Sequence, residues 1–301
     1  MTMSKRTILV FILSLFLASW SIQAAAIAVV GDLESGAAAP WLIVTMFMPG
    51  LWALGYLALF NRAAFRRIRF WPGNPVWLVL AGLLPAALAL VTLGLVRMLG
   101  WGEGTFFAFD GSGVDVLRGP WQLGPGEQGW LYFSANVALT ALLFAAMNGV
   151  VAVGEEFGWR GVLQDHVIDR FGLHAGIVLL GLVWAFWHLP SILAGYNYPE
   201  TPVLGGFALF PATLVANSYV LAWLTLRARS FWPAVLFHGS VNGIFAGVTE
   251  DIAPAAGVVQ LQIDLLILAL QIVLGLAAAL TLPRRTGQAA AVAADRSVSP
   301  R

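Results

Sequence analysis

Cysteine is absent from the 301 residues, which excludes disulfides, thiolate metal sites and cysteine nucleophiles. Charge is scarce too: 10% of residues are Asp, Glu, Lys or Arg, against about 25% in soluble domains. Of the 16 basic residues only Lys5 is a lysine, a compositional hint of a GC-rich bacterium. The net charge of +1 comes without a long basic patch, so no nucleic-acid partner is expected. No internal repeat is visible.

What the chain has is apolar surface, with 59% of its residues hydrophobic. Water cannot solvate that much of it, so the bilayer must be the solvent for most of the chain. Apolar stretches of roughly the 20 residues that a spanning helix needs lie near 7–30, 40–61, 75–97, 130–153, 174–194, 203–226, 231–249 and 258–282. The expected fold is all-α, a polytopic membrane protein of about eight transmembrane helices. One domain is expected over residues 1–282, followed by a disordered cytoplasmic tail at 283–301 that shows no apolar periodicity. Residues 1–30 have two readings. Lys5 and Arg6 before an apolar run ending in small residues resemble a cleaved signal peptide, but the run continues to Val30, which suits a retained helix.

Charge sets the orientation. With the N-terminus inside, the inner segments hold Lys5, Arg6, Arg62, Arg66, Arg67, Arg69, Arg160, Arg170, Arg227, Arg229, Arg284, Arg285, Arg296 and Arg301. Only Arg97 and Arg118 fall outside. Cytoplasmic loops collect basic residues, so both termini are expected in the cytoplasm of a bacterial inner membrane, with loop 100–129 on the far side.

Three places combine ionisable groups with apolar surroundings, where polar residues are costly and point to a site. The first is Glu155-Glu156-Phe157-Gly158-Trp159-Arg160. Adjacent carboxylates project about 100° apart on a helix. Glu156 and Arg160, at i and i+4, form an ion pair, and Glu155 points elsewhere. A plain charge cluster at the headgroups is the alternative. The second place is Trp184 and His188, one turn apart, with Pro190 expected to free the Phe186 carbonyl and kink the helix beside the imidazole. The third is His238 and Asn242, again one turn apart, next to a stripe of Gly239, Gly243 and Gly247 that invites close helix packing. For both histidines the alternative is an unreactive interhelical hydrogen bond. His166 and His174 read as interfacial, and Asp264 as a polar contact near the outer surface.

These residues spell EExxxR, an aromatic-xxxH and HxxxN, in that order, over a motif core at 155–242. The pattern resembles the CPBP family of CAAX proteases and bacteriocin-processing (Abi) proteins. One departure is Trp184, where that motif usually begins with Phe. The resemblance implies an eight-helix fold with a cavity open to the cytoplasm, and hydrolysis of peptide bonds in a peptide or protein substrate at the membrane. It implies Glu155 as general base aided by His188, with His238 and Asn242 stabilising the oxyanion. Glu156 and Arg160 would hold the site in place. No HExxH helix is present, and Asn242 beside His238 suits an oxyanion pocket better than a zinc shell, so no cofactor is expected. Zinc on Glu155, His188 and His238 is the alternative. A non-catalytic scaffold or immunity protein of the same fold, and a transporter, are competing readings.

Depth poses one constraint. From a start at 174, His188 lies about 21 Å along its helix. To meet it, the fourth helix must continue past Glu155, or the fifth must begin in the headgroup layer. For the topology, a reporter fused after Arg285 is expected to be active on the cytoplasmic side; activity confined to the periplasm would contradict it.

Overall fold

The computed structural model describes residues 3–282, and the expected tail at 283–301 lies outside the described residues. Three long helices open the chain: α1 (Lys5–Val30), α2 (Ala39–Phe60) and α3 (Pro75–Met98). Helix α4 (Trp130–Glu156) runs through a π-helical turn, Phe157–Leu163, into α5 (Gln164–Phe171). Gly172, at φ 88°, then leads directly into α6 (Leu173–Trp187), which packs back on α5. The short α7 (Leu189–Leu193) follows, and α8 (Pro202–Leu204) passes through a second π turn, Gly205–Leu209, into α9 (Phe210–Ala228). A third π turn, Val241–Phe245, joins α10 (Trp232–Ser240) to α11 (Ala246–Glu250), and α12 is Gln260–Leu280.

All eight expected segments carry helix. Among the described residues, six continuous runs are long and apolar enough to cross a membrane. The expected fifth and seventh segments are built from pieces. The chain is therefore an all-α polytopic membrane protein. Helix α1 is an integral part of the bundle, since Ile8, Phe11, Leu15, Ser19, Gln23 and Ala26 form one buried stripe.

The fourth segment differs from its expected end at 153. Its helical run covers 42 residues, to Phe171. That is about 63 Å at 1.5 Å per residue, roughly twice the hydrocarbon thickness. The extra length removes the depth conflict. Glu155 lies about 24 Å before the end of its run, close to the distance of His188 from the start of α6. It also moves Arg160 from an inner loop, where its charge was counted toward the topology, to a fully buried position inside the bundle.

Glycines bring the backbones together around this stretch. A side chain on Gly154 would strike the Met46 carbonyl and Phe47 of α2, and one on Gly158 would strike Pro49. This Gly-x-x-x-Gly pair brackets both carboxylates, and small residues at that spacing are what let membrane helices approach closely. In the expected glycine stripe, Gly239 packs on Ala145 and Gly149 of α4, and Gly243 on Phe144 and Asn148. Gly247 faces open space and takes no part.

The segment after α3 is more ordered than a loop. Strands β1 (Gly102–Gly104), β2 (Phe107–Phe109), β3 (Gly113–Val116) and β4 (Gly126–Gly129) form here, and β5 (Ile252–Pro254) follows α11. The order β2-β3-β4 makes one antiparallel sheet, and β1 pairs with β5. The β2–β3 turn is held by Asp110. The Ser112 hydroxyl, then the amides of Ser112 and Gly113, donate to its carboxyl and hold it below the ordinary carboxylate value. Asp251 fastens the sheet to the end of α11 through Thr105, the Phe106 amide and Arg118.

The break between α6 and α7 is repaired by a neighbouring helix. Pro190 has no N–H to give, and His188 N bonds three residues back to Ala185 O at 3.0 Å. Gln23 of α1 bridges the gap. Its Nε2 donates to Trp187 O at 2.9 Å, and its Oε1 accepts from Ser191 N at 3.2 Å and Ser191 Oγ at 2.8 Å. Trp20 Nε1 adds a second bond to Trp187 O at 3.1 Å. Replacing Gln23 with Leu takes the acceptor from the Ser191 N–H and hydroxyl and leaves Trp187 O to Trp20 alone, which should cost about 1–3 kcal/mol. Thermal unfolding in detergent measures this, and an unchanged midpoint would refute the bridge.

Candidate active site

Glu155 and Glu156 sit where α4 enters its π turn, and both are buried, at 1% and 0% exposure. A buried carboxylate must be paired or hydrogen-bonded. The two satisfy this in different directions, as their helical offset requires. Glu156 Oε1 accepts from Arg160 Nη1 at 3.0 Å and from His238 Nδ1 at 2.9 Å. Arg160 Nη2 donates to Ser218 Oγ of α9 at 3.1 Å, and the guanidinium carbon lies 4.1 Å from the centre of the Trp184 ring. Four helical segments thus meet at one ion pair. Glu156 Oε2 and Arg160 Nε have no hydrogen-bond partner among the described residues.

Glu155 turns toward α6. Its Oε2 accepts from Trp184 Nε1 at 2.7 Å and, at the longer distance of 3.4 Å, from Trp159 Nε1. Trp184 is in reach of every other member but one. Its ring centre is 5.4 Å from that of His238 and 6.2 Å from that of His188. Its carbonyl lies 2.8 Å from His188 Nδ1. The helix break explains this last bond. His188 N no longer reaches Trp184 O, which is left to the imidazole. A carbonyl only accepts, so Nδ1 carries the proton, and in neutral His188 Nε2 is the lone-pair nitrogen. Trp187 and Phe210 hold the ring edge-on, at 4.6 Å and 5.1 Å.

The structure therefore gathers Glu155, Glu156, Arg160, Trp184, His188 and His238. It does not gather Asn242, which lies in the π turn after α10, is exposed, and makes no hydrogen bond among the described residues. The π turn starts at Val241, between His238 and Asn242. A zinc site on Glu155, His188 and His238 fits poorly as they are placed. One carboxylate oxygen carries two indole N–H groups, and among the described residues no three His or acidic side chains meet as a ligand group.

The remaining polar residues lie elsewhere. His166 is buried and its Nδ1 accepts from Met3 N at 3.3 Å, so it packs under the start of α1. His174 is exposed and lies 3.3 Å from the Tyr219 hydroxyl. Asp264 accepts from Gln260 at 3.0 Å, within its own helix. Sequence reasoning missed Ser218, Trp159, Gln23 and Trp20. The first two have a weak signal in their helical spacing or polarity; the last two have none, because their partners are more than 160 residues away.

A bundle of apolar, membrane-length helices around a buried carboxylate–histidine cluster defines a polytopic integral membrane protein with a site inside its helices. Residues 129–244 match the family model described as type II CAAX prenyl endopeptidase Rce1-like, in agreement with the CPBP/CAAX resemblance of the three motifs, all of which fall within the matched stretch. That is a protease family, and the match supports intramembrane endopeptidase activity in general. No curated protein matches the chain.

The shared Glu156 carboxylate generates a prediction. Removing one partner of a buried pair costs about 3–5 kcal/mol. Glu156→Gln and Arg160→Ala should each lower the unfolding midpoint in detergent. The double variant should lose clearly less than the sum, because the groups interact directly. Simple additivity would contradict the coupling.

Proposed function

We propose that the chain is an intramembrane endopeptidase in which Glu155 activates water for attack on a peptide bond. The observation that carries this reading is the division of labour between adjacent buried carboxylates. Glu156 is engaged by Arg160 and His238, whereas among the described residues Glu155 is bound through one oxygen only. The site lies inside a segment that matches a protease family.

In this reading Glu155 takes a proton from water as the water oxygen adds to the scissile carbonyl. His188, with Nδ1 fixed on the Trp184 carbonyl, offers Nε2 to orient that water. The carbonyl oxygen becomes an oxyanion, which His238 and Asn242 stabilise. To donate through Nε2 while Nδ1 faces Glu156, His238 must carry both protons, and the Glu156 carboxylate supplies the counter-charge. Asn242 joins the unit only if its π turn brings the amide round when substrate binds. The tetrahedral intermediate collapses as Glu155 returns the proton to the departing amine. No covalent intermediate is needed. The substrate is a membrane-associated or small peptide or protein, met in a bacterial inner membrane with both termini of the chain in the cytoplasm.

The test is cleavage of a peptide library by the full-length protein in liposomes. Glu155→Ala is expected to lower the rate about 10²–10⁴-fold. Adding His188→Ala should cost little more, since members of one catalytic unit are non-additive. Exhaustive chelation should leave wild-type activity intact, and activity lost on chelation and restored by zinc would replace this mechanism with a metal-dependent one. A folded Glu155→Ala variant cleaving at the wild-type rate, or a wild type that cleaves nothing, would favour a non-catalytic scaffold of the same fold.

A further inference from the structure

Trp184 makes a contact to the carboxylate that an aromatic ring alone could not make. Its indole N–H lies 2.7 Å from Glu155 Oε2, well within hydrogen-bond range for a donor facing a carboxylate. The residue is 5% exposed, so the N–H needs a buried partner. The ring has little freedom to turn away. Arg160 stacks on its face, His238 meets it edge-on, and its own backbone carbonyl holds His188. Trp159 brings a second indole N–H to the same oxygen, at 3.4 Å. A carboxylate oxygen has two lone-pair sites. On Oε2 both face indole donors, whereas no hydrogen bond reaches Oε1 among the described residues.

We propose that the Trp184 indole N–H is a positioning group for the reaction. It holds Glu155 by Oε2, fixes the plane of the carboxylate, and leaves Oε1 as the oxygen that accepts the proton from water. This inference rests on the reading of Glu155 as the base. Trp184 touches no reacting atom; it acts through Glu155, and the same side chain also sets the distance between the base and both imidazoles. Trp159 contributes less, because its bond is longer and weaker.

The decisive variant replaces Trp184 in the full-length protein with 3-benzothienylalanine, which keeps the bicyclic ring and puts sulfur in place of the N–H. Trp184→Phe and Trp159→Phe are measured beside it, with cleavage kinetics and unfolding midpoints. The expected result is a fall in kcat of about 10- to 100-fold for the benzothienyl variant, with KM within about twofold and an unchanged midpoint. Trp159→Phe should lose less. Introduced into Glu155→Ala, the benzothienyl substitution should have no further effect on the residual rate. Wild-type kcat in the benzothienyl variant, or a rise in KM with kcat unchanged, overturns the inference. So does a loss seen with Trp184→Phe but not with the isostere, since that would assign the effect to ring packing. If Glu155→Ala is inactive in the same assay, these outcomes leave Glu155 as the base. If Glu155→Ala is fully active, the base and the positioning group fall together.

Discussion

Glu156 cannot remain charged among apolar helices without compensation, and most of the architecture around the site supplies it. Its carboxylate takes one hydrogen bond from Arg160, on its own helical run, and one from His238 on α10. Arg160 in turn needs an acceptor on α9 and a ring on α6, and it finds Ser218 and Trp184. Desolvating such ions costs several kcal/mol each, a penalty offset only when geometry and secondary hydrogen bonds are good. Four elements that are far apart in sequence are thereby fixed to one another. Glu155, next in the chain, inherits its position from that junction without being consumed by it.

Close helix approach makes the junction feasible. Gly154 and Gly158 let α2 pass directly against the carboxylate turn, and Gly239 does the same for α10 against α4. With no hydrophobic drive between helices in lipid, such backbone approach and the polar bonds it permits are what hold the bundle in register. The π turns belong to the same solution. The one at 157–163 follows both carboxylates, and the one at 241–245 follows His238. Local widening of this kind recurs at functional sites, and here it changes which residues share a face. At the strand-bearing end of the bundle, the β1–β5 pair and the Asp251 bonds fasten the sheet to α11, in continuity with the helix that carries His238.

The membrane class and the helix positions were legible because a bilayer imposes length and apolarity on every span. The candidate site was legible as a cluster for a related reason: Glu155, Glu156, Arg160, His188 and His238 are ionisable groups in apolar surroundings, at spacings that a helix converts into faces. What escaped were features that depend on distant or neutral partners. Gln23 reads as an ordinary polar residue in α1, and only the repaired break at Pro190 gives it meaning. Asn242 was placed by helical spacing alone, which does not supply a partner, and its side chain is exposed in the π turn after α10. Two local signals were present but unused. Gly154 and Gly158 form a small-residue pair, and Phe107–Val116 alternates around Asp110-Gly111-Ser112-Gly113 in the manner of a hairpin.

The central claim is that neighbouring carboxylates divide the work, Glu156 for structure and Glu155 for chemistry. The most direct measurement compares Glu155→Gln with Glu156→Gln in the full-length protein, recording the unfolding midpoint and the cleavage rate on the same preparations. The account predicts opposite profiles. Glu155→Gln should keep the wild-type midpoint and lose cleavage, while Glu156→Gln should lose the midpoint first. Two variants with the same midpoint and the same residual cleavage would contradict it.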